Sequence, residues 1–116
     1  MSVYNKAHEL ARELKESAEY KKLVEIKAVV DTDDEAKKMV KDFLVKKAEL
    51  EYEALTGKGE DKTKLAQLQQ MAGLLSHNTK ARECIEAYTR FHIIMSDVSK
   101  IIGDSVAEGM DIFAKG

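Results

Sequence analysis

The alternation of apolar and polar positions along this chain predicts five helices separated by short polar breaks. Apolar side chains recur every three or four residues, which is the spacing that places them on one face of an α-helix. The predicted helices cover residues 3–16, 18–31, 33–56, 61–77 and 79–107, followed by a loose tail at 108–116. The sequence therefore predicts an all-α protein, an antiparallel bundle of about four to five helices, some of them long, in a single domain.

The breaks between the helices carry residues that begin or end helices. Ser17 and Asn78 are expected to cap the second and fifth helices through their side chains. Thr32 and Glu35 have the spacing of a capping box, which predicts the start of the third helix. Residues 57–61 contain two glycines that tolerate positive φ and an aspartate suited to an N-cap, so the chain is expected to reverse there.

The second predicted helix has more apolar residues than a narrow stripe requires. We expect five of them to point into the core: Tyr20, Leu23, Val24, Ile26 and Val30.

The strongest periodicity lies in the last predicted helix. Steps of three and four residues connect Ala81, Cys84, Tyr88, Phe91, Met95, Val98 and Ile102, and a second strip beside them holds Ile85, Ile94 and Ile101. One neighbouring helix does not normally cover both strips, so a partner chain is implied. The sequence predicts a homodimer or higher oligomer whose interface contains Tyr88, Phe91, Met95 and Val98 at its centre, with Ile94, Ile101 and Ile102 beside them.

Charge and composition narrow the possible partners and compartment. Nineteen basic and twenty-one acidic residues give a net charge of -2, without the positive excess of a dedicated nucleic-acid binder. An alternative is an RNA-binding face formed by the lysines between Lys37 and Lys47, although nearby carboxylates suggest an ordinary solvated surface. The polar start lacks the apolar stretch of a secretory signal, and no apolar run is long enough to cross a bilayer. We expect a cytoplasmic protein without a membrane partner.

Residue types that carry catalysis or bind metals are present without the spacing that those roles need. His8, His77 and His92 form no paired motif on one helix turn, and Cys84 is expected to be a small core residue. The acids around Asp33 are better suited to helix capping than to cation binding, because the glycine and spacing of an EF-hand are missing. We predict no catalytic residue, cofactor or metal, and keep a small-ligand pocket near His92 or Asp33 as a lesser alternative.

Several segments taken together resemble a known bacterial family. They are Leu14–Leu23 (LKESAEYKKL), Asp33–Met39 (DDEAKKM) with Phe43, Ala87–Phe91 (AYTRF) and Asp97–Ile102 (DVSKII). In this order they resemble the YlbF/YmcA/YheA family of small helical proteins, over about residues 3 to 106. These segments are helix boundaries and apolar stripes, not catalytic signatures.

The resemblance implies an all-helical fold and association with copies of the same chain or with sibling proteins. It also implies cytosolic regulatory work, linked in some members to competence, sporulation and biofilm programmes and to RNA processing with ribonuclease Y. Some members contribute C-terminal cysteines to an iron–sulfur cluster. This chain has no cysteine in that region, so it is more similar to the cysteine-poor YheA branch and no cluster is expected. Asn78-Thr79 stands where the family usually has Asn-Pro.

Overall fold

The computed structural model describes residues 2–57, 59 and 61–112, which form five helices without a strand in those ranges. The helices are α1 Ser2–Glu16, α2 Ala18–Asp31, α3 Asp34–Leu55, α4 Lys62–Leu75 and α5 Thr79–Met110. The predicted all-α fold class is confirmed. The bounds of α2 coincide with the predicted 18–31, and the other helix bounds differ from the predicted ones by at most three residues. The largest difference is in α5, which continues to Met110 where the prediction ended it at residue 107. Residues 113–116 of the predicted tail lie outside the described residues.

Side-chain caps begin three of the helices as the sequence predicted. Ser17 Oγ accepts a hydrogen bond from the backbone N–H of Tyr20 at 3.2 Å, and Asn78 Oδ1 accepts one from Ala81 at 3.1 Å. Asp61 caps α4 in the same way, through two backbone N–H groups. Each bond satisfies an amide that has no partner within its own helix, which fixes the residue at which the helix starts.

The predicted capping box of Thr32 and Glu35 is wrong, because the chain turns one residue later. Thr32 keeps right-handed helical angles and closes α2, donating its hydroxyl hydrogen to the carbonyl of Val29 at 2.7 Å. Asp33 has the extended backbone of an N-cap and accepts from the N–H of Ala36 at 3.1 Å. Both residue types can cap a helix, so the backbone conformation decides which one does.

The centre of the fold is the antiparallel pair of α2 and α5. The ring of Tyr20, early in α2, lies 5.0 Å from that of Phe91, and Lys80 at the start of α5 contacts Asp33 just after α2, at 3.4 Å. Between these ends lies a small core, formed by Ile26, Val30, Ala36, Leu75, Ala81, Cys84 and Ala87. Val24 does not join it, contrary to the prediction, and is 48% exposed.

A second antiparallel pair, α3 and α4, packs beside this core. Gly57 and Gly59 both have φ of +77°, the left-handed region that favours glycine, so the predicted reversal is confirmed for these two residues. Lys58 and Glu60 of that turn lie outside the described residues. An ion pair between Glu53 and Lys64 joins the ends of the two helices nearest the turn. The α3 helix also contacts α2 and α5, which connects the two pairs.

The assembled molecule is flat and extended. Its Cα atoms span 47 × 38 × 15 Å, and the shortest dimension accommodates at most two layers of helices. The radius of gyration is 17.8 Å, compared with about 13 Å for a compact domain of this length. Within the described residues, α1 contacts α2 alone among the helices and has no buried residue. Many apolar side chains are therefore left in contact with solvent.

Candidate association surface

The structure divides the predicted interface of α5 into a covered part and an uncovered part. Ala81, Cys84 and Ala87 are buried, so α2 and its neighbours cover the first third of the stripe. Phe91 is half-buried because it packs on Tyr20 of the same chain. The beginning of the stripe thus belongs to the intrachain core.

The middle of the predicted interface is only partly covered by the chain itself. Ile94 and Val98 are half-buried, whereas Tyr88 and Met95 are exposed. The ring of Tyr88 stacks on His92 with centroids 5.7 Å apart and an angle of 21° between the planes. His92 therefore borders the stripe.

The far end of α5 is not covered by the other described residues of the chain. Every residue from 99 to 110 is exposed, and these twelve residues form what we call the free arm of α5. The predicted interface residues Ile101 and Ile102 lie on it and are 69% and 53% exposed. At the helical rise of about 1.5 Å per residue the arm extends roughly 18 Å.

Further apolar residues of this surface were not included in the predicted interface. Val106 and Met110 continue the stripe along the free arm, and Met110 is 72% exposed. On α1, Val3 and Tyr4 are 65% and 64% exposed. The three-and-four spacing of α1 signalled an apolar face, but spacing does not reveal whether the chain covers that face.

A cleft of about 650 Å³ lies between the starts of α3 and α5. Among its lining residues, Asp33 accepts hydrogen bonds from the backbone N–H of Ala36 and from Lys80. The hydrogen bond from the backbone N–H of Ala36 keeps the pKa of the Asp33 carboxyl below its ordinary value, and Lys80 lowers it further to a smaller extent. His77, on the turn before α5, also lines the cleft. The carboxylate is already used in capping, which agrees with the capping role expected from the sequence.

The described part of the chain offers little basis for a metal site or for a reactive thiol. It contains no group of three or more His, Cys, Asp or Glu side chains arranged to hold a metal ion. Cys84 is buried in the core as predicted, and burial, followed by the negative charge of Asp31, raises the pKa of its thiol. A buried thiol with a raised pKa is a poor nucleophile.

The lysines considered for RNA binding lie among carboxylates on the surface of α3. Lys38 pairs with Asp42 at 2.6 Å, and Lys46 with Glu49 at 3.6 Å. Lys37 approaches Asp31 at 3.9 Å, a partner on α2 that the sequence did not suggest. These pairs interleave negative charge with the basic side chains.

None of the helices in the described ranges has the length and apolar character needed to cross a membrane. The fold and the surface together define the class of protein. It is a small, flat, all-α protein whose helices have apolar faces that its own core does not cover.

The chain belongs to the family described as "Control of competence regulator ComK, YlbF/YmcA", whose model matches residues 3–107. Among its relatives, a UPF0342 protein of Desulfitobacterium hafniense is 35% identical over 108 residues, covering 93% of this chain and 87% of that protein. A UPF0342 protein of Caldicellulosiruptor bescii is 37% identical over 105 residues, covering 90% and 88%. A third, of Clostridium tetani, is 31% identical and covers 91% of each chain. The family resemblance seen in the sequence is confirmed.

Proposed function

We propose that this chain is a non-enzymatic regulatory adaptor of the cytosol, which associates with itself and with other proteins through its exposed helical faces. Its partners would be copies of the same chain, sibling members of the family or proteins of RNA processing. The family description supports a regulatory role, since it names control of a competence regulator.

The observation that carries this proposal is the uncovered apolar stripe of the free arm of α5. Ile101, Ile102 and Val106 stand on a regular helix, and more than half of each side chain is accessible to solvent. Contiguous exposed apolar surface of this kind is typical of a protein–protein contact in a soluble protein. Burying a side chain of this size contributes about 1.5–3 kcal/mol, so several together outweigh much of the entropy lost on association.

The adaptor role is tested by affinity purification from the native cell after mild crosslinking. The wild-type chain is compared with Ile102→Asp and with Ala107→Asp, which adds the same charge on the opposite face of α5. We expect specific protein partners to be recovered with the wild type and the Ala107 variant, and lost with the Ile102 variant. Recovery of the free homo-oligomer alone, across several growth conditions, would count against an adaptor.

The self-association predicted from the sequence is measured separately, by sedimentation equilibrium of the purified chain. We expect a homodimer or higher oligomer at micromolar concentration. A well-folded wild-type monomer at high micromolar concentration would refute this part of the proposal. Phe91→Asp is a poor probe, because Phe91 also packs on Tyr20 within the chain.

A further inference from the structure

Among the described residues, two helical arms are left without a neighbouring helix, and they do not contact each other. One is the first half of α1, with Val3, Tyr4 and Ala7 exposed; the other is the free arm of α5. No contact joins α1 to α5 within the described residues. Leu10 and Leu14, nearer the junction with α2, are half-buried, so the cover on α1 decreases away from that junction.

We propose that the first half of α1 in one copy docks on the free arm of α5 in a second copy, and that the symmetry-related contact completes a two-fold dimer. This inference rests on the self-association in the proposed function, and adds which element meets which. A two-fold axis makes the exchange reciprocal, so both arms of both copies are covered by one arrangement.

The accessible surface of the isolated chain is large enough for such an exchange. It amounts to 9068 Å², whereas a compact monomer of 13.0 kDa exposes about 6,300 Å². The difference, about 2,700 Å², exceeds the roughly 800 Å² that each partner buries in an interface of standard size. The chain therefore has the surplus area of a subunit whose dimer contact is extensive.

The charges beside the free arm argue against its pairing with its own copy. The segment 93–112 has four acidic residues and one lysine. Asp97, Asp104 and Glu108 follow one another by seven and four residues, so they line one edge of the apolar stripe. Lys100 lies on the same edge and pairs with Asp104 at 2.8 Å. Two free arms side by side would bring these acidic edges together, which is unfavourable.

The charges of α1 are better matched to this acidic edge. Lys6 and Lys15 border the apolar stripe of α1, one on each side, with Glu13 beside Lys6. Glu16 lies on the opposite face, away from the stripe, and Glu9 pairs with Lys6 at 3.3 Å on the exposed surface. Docking the first half of α1 on the free arm thus covers two apolar stripes and brings Lys6 towards the carboxylates. Opposite charges at the rim of an interface favour one pairing over another.

The pairing is tested directly by disulfide formation between copies, in a Cys84→Ala background that removes the native thiol. One partner carries a cysteine on α1 and the other carries one on the free arm. The positions used are Val3, Tyr4 and Ala7 on α1, with Ile101, Ile102 and Val106 on α5.

We expect mixed disulfides between an α1 variant and an α5 variant, and little crosslinking when the cysteines stand at Asn5 and Ala107 on the opposite faces. Efficient crosslinking of an α5 variant with itself, without mixed disulfides, would overturn the inference. Because these positions are exposed in the chain, the substitutions leave its core unchanged, which circular dichroism verifies.

Sedimentation equilibrium of charge variants separates this inference from self-association in general. Tyr4→Asp and Ile101→Asp should each weaken the dimer roughly tenfold or more, whereas the controls Asn5→Asp and Ala107→Asp should leave it nearly unchanged. If Tyr4→Asp has no effect and Ile101→Asp dissociates the dimer, self-association stands and the α1 contact is refuted. A monomeric wild type would refute both. If a charge variant unfolds, disulfide formation between α1 and α5 cysteines still tests whether the two arms meet.

Discussion

At the scale of single residues, the capping residues at the helix starts give the most specific predictions. Asn78 is the cap of the longest helix and accepts from the backbone N–H of Ala81. Its side chain replaces a bond that this amide cannot find within α5, because the first amides of a helix have no partner one turn earlier.

Asn78→Ala should therefore lower the free energy of unfolding by about 1 kcal/mol. Asn78→Asp is the matched control and should retain stability close to that of the wild type, since aspartate caps equally well and its charge favours the helix N-terminus. Urea denaturation at one fixed protein concentration gives the measurement. An unchanged midpoint for Asn78→Ala would show that water satisfies the amide as well as the cap does.

Asp33 gives a prediction about pH. The backbone N–H of Ala36 and the charge of Lys80 lower its pKa in the folded protein. A carboxyl group with a depressed folded pKa stabilises the protein above its unfolded pKa of about 3.9, and that contribution is lost as pH falls through the folded value.

Asp33→Asn keeps a capping side chain and removes the titration. Between pH 7 and about pH 3, where the unfolded carboxyl is protonated, the wild type should lose more thermal stability than Asp33→Asn does. Thermal unfolding followed by circular dichroism at both values checks this. Equal losses would mean that the carboxylate of Asp33 contributes nothing to the pH dependence of stability.

At the scale of the elements, the structure buries some apolar residues of α2 and leaves others exposed. The sequence of this helix does not show that division. Ile26 is buried against the α2–α5 core, whereas Val24 faces solvent although the sequence predicted both as inward. The second helix has apolar residues on more than one face, so periodicity alone does not choose the buried one.

Ile26→Ala should cost about 2–3 kcal/mol, at the low end for such substitutions because a flat core relaxes easily. Val24→Ala, in the same helix, should change stability by less than about 0.5 kcal/mol. Equilibrium unfolding of the two variants compares them directly. Equal effects would place Val24 in a contact that the single chain does not show.

The surface of α3 bears on the alternative of RNA binding through Lys37–Lys47. Lys38 and Lys46 are paired with carboxylates, which offset part of the positive charge of this face. We expect weak binding of single-stranded RNA with little dependence on salt. A titration by fluorescence anisotropy at several salt concentrations measures this. An affinity that falls steeply with salt would restore the RNA-binding alternative, because that slope counts the phosphates contacted.

At the scale of the whole molecule, the flat shape and the small core predict that stability depends on association. Among the buried residues of the part of the chain that the structure describes, only Ile26, Val30 and Leu75 are large aliphatic side chains. Much of the apolar surface would then be buried only between copies.

The melting temperature should rise with protein concentration, as mass action requires when only the folded chain associates. Differential scanning calorimetry from low to high micromolar concentration provides the measurement. The Ala107→Asp control should show the same rise, and Ile101→Asp a smaller one. A melting temperature independent of concentration would indicate that the single chain is stable by itself.

Local features of the sequence were sufficient to predict the five helices of this protein. Helix formation depends on local features, namely the spacing of apolar residues, caps such as Ser17 and Asn78, and glycines where the chain reverses. The sequence also identified Cys84 as a core residue and the family to which the chain belongs. The capping box at Thr32 failed because two adjacent residues could both cap, and the backbone at that junction chose the second.

Tertiary structure decided which apolar faces are covered. The stripe of α5 is continuous in sequence from Ala81 to Ile102, yet the start of α2 lies against Phe91, and residues 99 to 110 are exposed. The apolar face of α1 was equally visible in the sequence, but within the described residues α1 contacts α2 and does not contact α5. Periodicity shows that a face is apolar, whereas its cover depends on the lengths and directions of other helices, which are non-local properties.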